Sequence, residues 1–594
     1  MTDVATPSAP AQAAPPPAAK PWPAMSAAEA YRIITAPGSM LEMDTAVIRG
    51  VKTRVWKNAP PTIREVLAFA RVHGDKVFLV YEDERVTFEA FFRAVAAFAA
   101  ELRAQGVEKG DRVAIVMRNL PEWPVAFFAT LSLGAITVPL NAWWTGPELE
   151  YGLTDSGTKV AVVDAERLER LTEHFPNCPE LKRVYVARAA EELAHPYIAR
   201  MEDVLGPPPT WAALPPADLP EATIDSDDDA FIFYTSGTTG RPKGALGTHR
   251  NIIHNILAGQ VGALRAALRR GETPPAPDPN APQKGTLLSV PFFHATGAFA
   301  VLVPSFFGGA KLAMMRKFEP VRAFQLIERE RLTGAGGVPT IAWQLIEHPE
   351  RGNYDLSSLE GVSYGGAPSA PELVRKIRET FPNSMPGQGW GMTETSATAT
   401  NNSAEDYLNR PDSAGLPVPV CDLKIVGPDG ETLPPGQVGE LWCRGPNIVK
   451  GYWNKPEATA ATFTDGWVKT GDLARLDEEG FVFIIDRAKD MLIRGGENIY
   501  CIEVENALYE HPAVMDAAVV AVPHKTLGEE PGAIVHLTPG ASATEDELRA
   551  FVAERLAAFK VPVKVVFWPE TLPRNPQGKI LKSELKKVFA GEAG

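Results

Sequence analysis

The chain has 594 residues, 45% of them hydrophobic and 22% charged, with 73 acidic against 59 basic side chains for a formal charge of -14. At roughly 150 residues per domain this length implies several cores, and the acidic balance argues against general nucleic-acid binding, which needs basic surface to displace phosphate counterions. Four cysteines at 178, 421, 443 and 501, with no CxxC pair, argue against a disulfide framework or structural zinc and fit a reducing cytoplasm.

Residues 1–24 contain seven prolines and eight alanines without a basic lead into an apolar run, so the first 30 residues read as a flexible tail rather than a signal peptide. From Thr62 to about Val204 helical and strand patterns alternate: a helix over 88–105, a strand over 112–117, a buried helix over 125–133, a strand over 136–140 and another over 159–163. This spacing predicts parallel βαβ units. The charge-free stretch 123–147 has the length of a membrane span, but Gly134 and Pro139 break it; 285–310 holds His294 and two internal prolines. Both are assigned to a soluble core. Residues 206–229 read as a linker, and the acidic run Asp225–Asp229 as a solvated lead-in to a strand over 230–234.

A second alternating block runs from about 230 to 400, interrupted by 265–284, whose five prolines suggest a surface loop. Beyond Asp412 short strands and Gly/Pro turns predict a small β-rich subdomain over about 405–486. The remainder, 487–594, reads as another mixed unit, with strands near 517–522 and 532–537 and a helix over 545–558. The expected fold is therefore α/β: a large N-terminal domain of two α/β subdomains plus a small β-rich one, then a small α+β C-terminal domain.

The most informative segment is residues 231–244, in which an apolar strand feeds Thr235, Ser236, Gly237, Thr238, Thr239 and Gly240 and the run ends in Lys243 and Gly244. Glycine lets backbone N–H groups approach an anion, hydroxyls add donors, and lysine adds a point charge, so the chemistry is that of a polyphosphate cradle. Only two residues separate Gly237 from Gly240 and no Gly-Lys-Ser/Thr follows, which excludes a Walker A loop.

This loop resembles the phosphate loop of the adenylate-forming superfamily: acyl-CoA synthetases, aryl-acid CoA ligases, luciferases and peptide-synthetase adenylation domains. Further motifs recur in the family's order, YGGAP at 364–368, GWGMTE at 389–394, TGD at 470–472, DRAKD at 486–490 and RNPQGK at 574–579. The resemblance implies an acid–CoA ligase that uses ATP, Mg²⁺ and coenzyme A and works on a small-molecule carboxylic acid. It implies that Gly366, Ala367 and Pro368 line an adenine site together with Gly389, Trp390 and Gly391, where the Trp390 ring stands in for the usual tyrosine. It assigns Thr393 to the α-phosphate, Glu394 to Mg²⁺, Asp472 to the ribose and Arg487 to the nucleotide. It implies that Lys579 reaches the α-phosphate and the acid from a mobile small domain, that Lys489 is the hinge, that Arg494, Gly495 and Gly496 face the pantetheine arm of coenzyme A, and that His294 sits beside the acyl carboxylate.

The same resemblance frames an acyl pocket from His294, Ala298, Phe299, Gly337, Val338, Gly366, Gly389 and Met392, roomy enough for a bulky monocarboxylate: aryl, aryl-alkanoic or medium- to long-chain. Departures from the family pattern also appear. Ile493 stands where luciferase-like and coumarate-ligase-like members carry a lysine, Cys501 replaces a usual proline, and Ala298 occupies the place of a gating tryptophan in some long-chain enzymes. The alternatives are transfer to a carrier protein's phosphopantetheine, a luciferase-type oxygenase, and a nucleotide-binding homologue without catalysis. The expected assembly is a monomer or homodimer.

Overall fold

The computed structural model describes residues 22–189, 197–235, 241–274, 278, 280–367, 369–495, 497–575 and 578–589. Two large, mostly parallel sheets, of eight and nine strands, form the body of the N-terminal domain, and two five-stranded sheets follow. Helices Phe88–Ala104, Glu122–Ser132 and His249–Arg269 contribute to a phenylalanine-rich core that includes residues of both large sheets. Every residue of Glu122–Ser132 is buried, as expected for a helix that is apolar over most of its surface, and its one charge, Glu122, pairs with Arg188 at 2.9 Å. Among the described residues no helix is long and apolar enough to cross a membrane.

The two alternating blocks are not two separate sheets. Val77–Tyr81 pairs in parallel with Lys311–Met314 in the nine-stranded sheet. Asp229–Thr235 and Lys243–Thr248, from the second block, join the eight-stranded sheet beside Ile136–Pro139. Each block thus lends strands to the other's sheet.

Several sequence-based boundaries move. The helix Ala27–Ile34, capped by Ser26, begins inside the expected tail, and its Tyr31 hydroxyl donates to the Pro417 carbonyl at 2.9 Å. The expected loop at 265–284 is helix up to Arg269. Arg265 and Arg269 are fully buried and share the carboxylate of Asp406, at 2.9 and 2.8 Å. Arginine at these positions reads as surface in a local window; the distant Asp406, with the Tyr31 hydroxyl and the Asn401 carbonyl on Arg265 and the Met25 carbonyl on Arg269, makes its burial tolerable. The acidic run is paired rather than merely solvated, Asp227 with Arg250, Asp228 with Lys109 and Asp229 with Lys450. The β-rich sheet begins at Asp422–Val426, later than 405, because Thr400–Ser403 and Leu416–Pro417 extend the nine-stranded sheet instead. The helix expected over 545–558 ends at Ala553.

Candidate active site

A cleft of about 1650 Å³ lies between the large domain and the small C-terminal one. It exceeds the ~300–1,000 Å³ typical of one small-molecule pocket, so it has room for more than one ligand. The strands Gly334–Gly337, Gly361–Gly365 and Met385–Trp390 run parallel, and residues at and just beyond their carboxyl ends line it: Val338, Gly366, Ala367, Gly389 and Trp390. In open parallel sheets this is where ligands bind.

On the large-domain side, Thr235 ends one strand and Lys243 begins the next, and the two residues face each other in register. The predicted cradle residues between them, Ser236, Gly237, Thr238 and Thr239, lie outside the described residues, as do Pro368 and Gly496. Lys243 Nζ sits 4.7 Å from the centre of the Tyr452 ring, and the Tyr452 hydroxyl donates to Glu394 Oε1 at 2.7 Å. Tyr452 thereby joins the loop's lysine to the buried carboxylate at the end of GWGMTE. The turn that carries Thr393 and Glu394 is tight: a Cβ on Gly391 would lie 1.5 Å from the Ala397 carbonyl oxygen, so only glycine fits there.

Asp472 and Arg487, fifteen positions apart, are opposite one another on adjacent antiparallel strands and form an ion pair of 2.8 Å. The other oxygen of Asp472 accepts the indole N–H of Trp390 at 2.9 Å. Trp390 therefore buttresses the carboxylate while its ring lines the cleft.

The small domain contributes Lys579. The hairpin that carries it is held by Arg574, which donates to the Gly578 carbonyl at 2.8 Å and to Asp516 Oδ1 at 2.6 Å. Gly578, at φ +76°, approaches Val338 so closely that a Cβ would meet that side chain at 2.7 Å. Burial, with the Arg487 cation nearby, pulls the Lys579 ammonium down to about 8 against the upward pull of Asp472 and Glu394. His294, nearly three hundred positions earlier in the chain, feels the same ammonium: burial first, then Lys579, bring its imidazole down to about 3 and keep it neutral.

Lys489 is exposed in the turn after the strand Val482–Arg487, on the cleft's edge. Arg494 and Gly495 are elsewhere. Arg494 pairs with Glu530 at 2.9 Å, and the Gly495 N–H donates to Leu527 at 2.8 Å; neither lines the cleft in this orientation of the domains. Of the expected acyl pocket, His294, Val338, Gly366, Gly389 and Met392 line the cleft, but Ala298, Phe299 and Gly337 do not. Thr296–Leu302 is wound as a π-helix, which leaves Thr296 at the cleft and turns Phe299 into the core, its ring 4.7 Å from Phe231 and 4.9 Å from Phe233. The motifs also leave out a basic stretch of wall: Arg118, whose guanidinium lies 4.8 Å from the Trp143 ring, with Arg316 and Lys317. Nothing local in the sequence marks Tyr452, Asp516 or this basic wall.

The chain matches the family model of AMP-binding enzymes over residues 67–453 and that of the AMP-binding enzyme C-terminal domain over 503–579. It is 37% identical over 504 residues to a feruloyl-CoA synthase of Amycolatopsis, covering 85% of this chain and 94% of that one. To a long-chain-fatty-acid–CoA ligase of Bacillus subtilis it is 35% identical over 534 residues, 86% of this chain and 91% of the other. Among solved structures it is similar to an anthranilate CoA ligase in complex with anthranoyl-AMP, with a TM-score of 0.77 and 26% identity over 89% of this chain and 97% of that one. The o-succinylbenzoate CoA synthetase of Bacillus subtilis with its acyl-adenylate gives 0.72 and 31%, covering 89% and 98%. The protein belongs to the AMP-binding, adenylate-forming family, in its acid–CoA ligase branch, whose members join an acid to coenzyme A with release of AMP.

Proposed function

We propose that this protein converts a bulky monocarboxylic acid to its coenzyme A thioester in two half-reactions at the cleft. The acid's carboxylate attacks the α-phosphorus of ATP, the bond to pyrophosphate breaks, and an acyl-adenylate forms. The thiolate of coenzyme A then attacks the acyl carbon, and the bond to AMP breaks. The observation that carries this reading is the meeting of Lys579, from the small domain, with His294, Glu394, Asp472 and Arg487 in one cleft. Two anions must approach one another in the first step, and Lys243 and Lys579 offset the charge that develops. A neutral His294 can orient the acid without adding to its proton inventory. Asp472, pinned from both sides, accepts the ribose hydroxyls.

Glu394 suits Mg²⁺: a single buried carboxylate beside Lys243 matches a hard cation that takes most of its ligands from phosphate and water. When bound, that ion neutralises phosphate charge. The acyl side is apolar, with Val338, Pro339, Ile341 and Met392, which favours an aryl, aryl-alkanoic or longer aliphatic chain. Relatives that carry the names feruloyl-CoA synthase and long-chain-fatty-acid–CoA ligase agree with that class. We assign Arg118, Arg316 and Lys317 to the phosphates of coenzyme A.

Pyrophosphate release across a panel of acids, with and without coenzyme A, tests the class of reaction and names the acid; the panel runs from acetate to palmitate, through benzoates and cinnamates, and includes dicarboxylic acids. In the same assay Lys579→Ala should lower adenylation about 10²- to 10³-fold, while thioester formation from pre-made acyl-adenylate, followed by AMP release, persists. Equal loss of both steps would overturn the assigned role. A stoichiometric burst that coenzyme A cannot relieve would point to a carrier protein as the acceptor.

A further inference from the structure

Cys501 occupies an unusual place. It is the first residue of the helix Cys501–Tyr509 in the small domain, and Tyr500 before it supplies no side-chain cap. The N–H groups of a helix's first turn have no partner within the helix. Here the Cys501 N–H donates to Asp486 Oδ2 at 2.5 Å, and Asp486 is on the large-domain side, in the strand Val482–Arg487. The Cys501 thiol, 1% exposed, donates to the Asp490 carbonyl at 3.1 Å. Burial raises that thiol well above the usual range, so it is a neutral donor rather than a reactive thiolate.

The two contacts fall on opposite sides of Lys489. Asp490 travels with the small domain, so the thiol contact survives a rotation about the hinge. Asp486 stays behind, so the N–H contact must part. Parting it gives up an N–H···carboxylate bond at the positive end of a helix, and carries the Lys582–Glu505 ion pair (2.7 Å), which lies beside Asp486, away with the small domain. Proline, the usual residue here in the resembling family, has no N–H and cannot make this contact.

We propose that Cys501 is a positioning residue whose backbone N–H latches the small domain, through Asp486, in the orientation that holds Lys579 in the cleft. The inference rests on the reading of Lys489 as the hinge between two domain orientations. A latch of this kind favours acyl-adenylate formation and slows the turn toward coenzyme A.

Two variants of the full chain separate the contacts. Cys501→Ala removes the thiol and keeps the N–H. Cys501→Pro removes both, at the one helical position where proline costs little. The four native thiols are buried, so spin labels can be attached at cysteines introduced on exposed positions, one per domain, and the distance between them read without nucleotide, with MgATP, and with AMP plus coenzyme A. Wild type and Cys501→Ala should share one distribution without nucleotide, while Cys501→Pro shifts the ratio of the two orientations about tenfold or more toward the one with Lys579 withdrawn. Thermal unfolding of the two variants, compared directly, guards against a folding defect, and Asp486→Ala should reproduce the proline result. If the wild type alternates with ligand and Cys501→Pro matches Cys501→Ala, the latch is overturned and the hinge stands. If the distance never changes in any state, the alternation is overturned and the latch with it.

Discussion

The two sides of the cleft hold their functional groups by different means. On the large domain, Asp472 is fixed by Arg487 from a neighbouring strand and by the Trp390 indole, and Glu394 by Tyr452, all on or beside strands of extended sheets. On the small domain, Lys579 rides a hairpin tied to its own domain through Arg574 and Asp516, and that hairpin touches the large domain where Gly578 meets Val338. On the proposed reading, the groups that hold the nucleotide are set into a rigid lattice. The group that this reading brings in and withdraws is set on a short arm whose internal bonds do not depend on where it docks. A site of this form can be precise and divisible at once.

An effect as large as that of Lys579→Ala should come from the rigid side. Glu394→Gln keeps shape and the Tyr452 contact but removes the charge, and adenylation should fall about 10²- to 10³-fold in a pyrophosphate-exchange assay. Unlike Lys579→Ala, it should also weaken the dependence of the rate on added Mg²⁺. Equal Mg²⁺ dependence in wild type and variant would separate Glu394 from the metal.

The arm's lysine gives a titration. Its ammonium is pulled down to about 8 in the free protein, and the proposed role needs the protonated form. Activity on kcat/KM for ATP is therefore full below that value and should decline as pH rises through it, approaching about tenfold per unit. Lys579→Arg, whose guanidinium stays charged, should flatten the alkaline limb even if it lowers the plateau. A limb that persists unchanged in the arginine variant assigns it to another group.

The smallest effect tests the buttress. Trp390→Phe keeps a ring on the cleft wall and removes the N–H to Asp472. With one hydrogen bond to a carboxylate lost, KM for ATP should rise about 3- to 10-fold with kcat little changed. A matching fall in kcat would mean that Trp390 acts on the reacting atoms rather than on the ribose side.

Much of this arrangement was legible along the chain. The GWGMTE turn is a local pattern whose backbone demands show in the residue types themselves, as Gly391 illustrates. The strand periods over 112–117 and 136–140 likewise survive to within a residue or two. The misses share one cause. Arg265 and Arg269 look like the end of an exposed helix until Asp406 is brought beneath them, and Phe299 looks like a pocket wall until Phe231 and Phe233 claim its ring.

By itself, then, the sequence determined the α/β class, the order of the motifs around Lys243, Glu394, Asp472 and Lys579, and the family to which they belong, because each depends on residues within a few positions of one another. Only the tertiary structure decided that the two blocks exchange strands, that Tyr452 and Trp390 hold the two carboxylates, that the basic wall at Arg118 and Arg316 borders the cleft, and that the Cys501 N–H reaches Asp486. Those are pairings between residues tens to hundreds of positions apart, selected by how buried charges and rings find partners in three dimensions, and no local period in the chain encodes them.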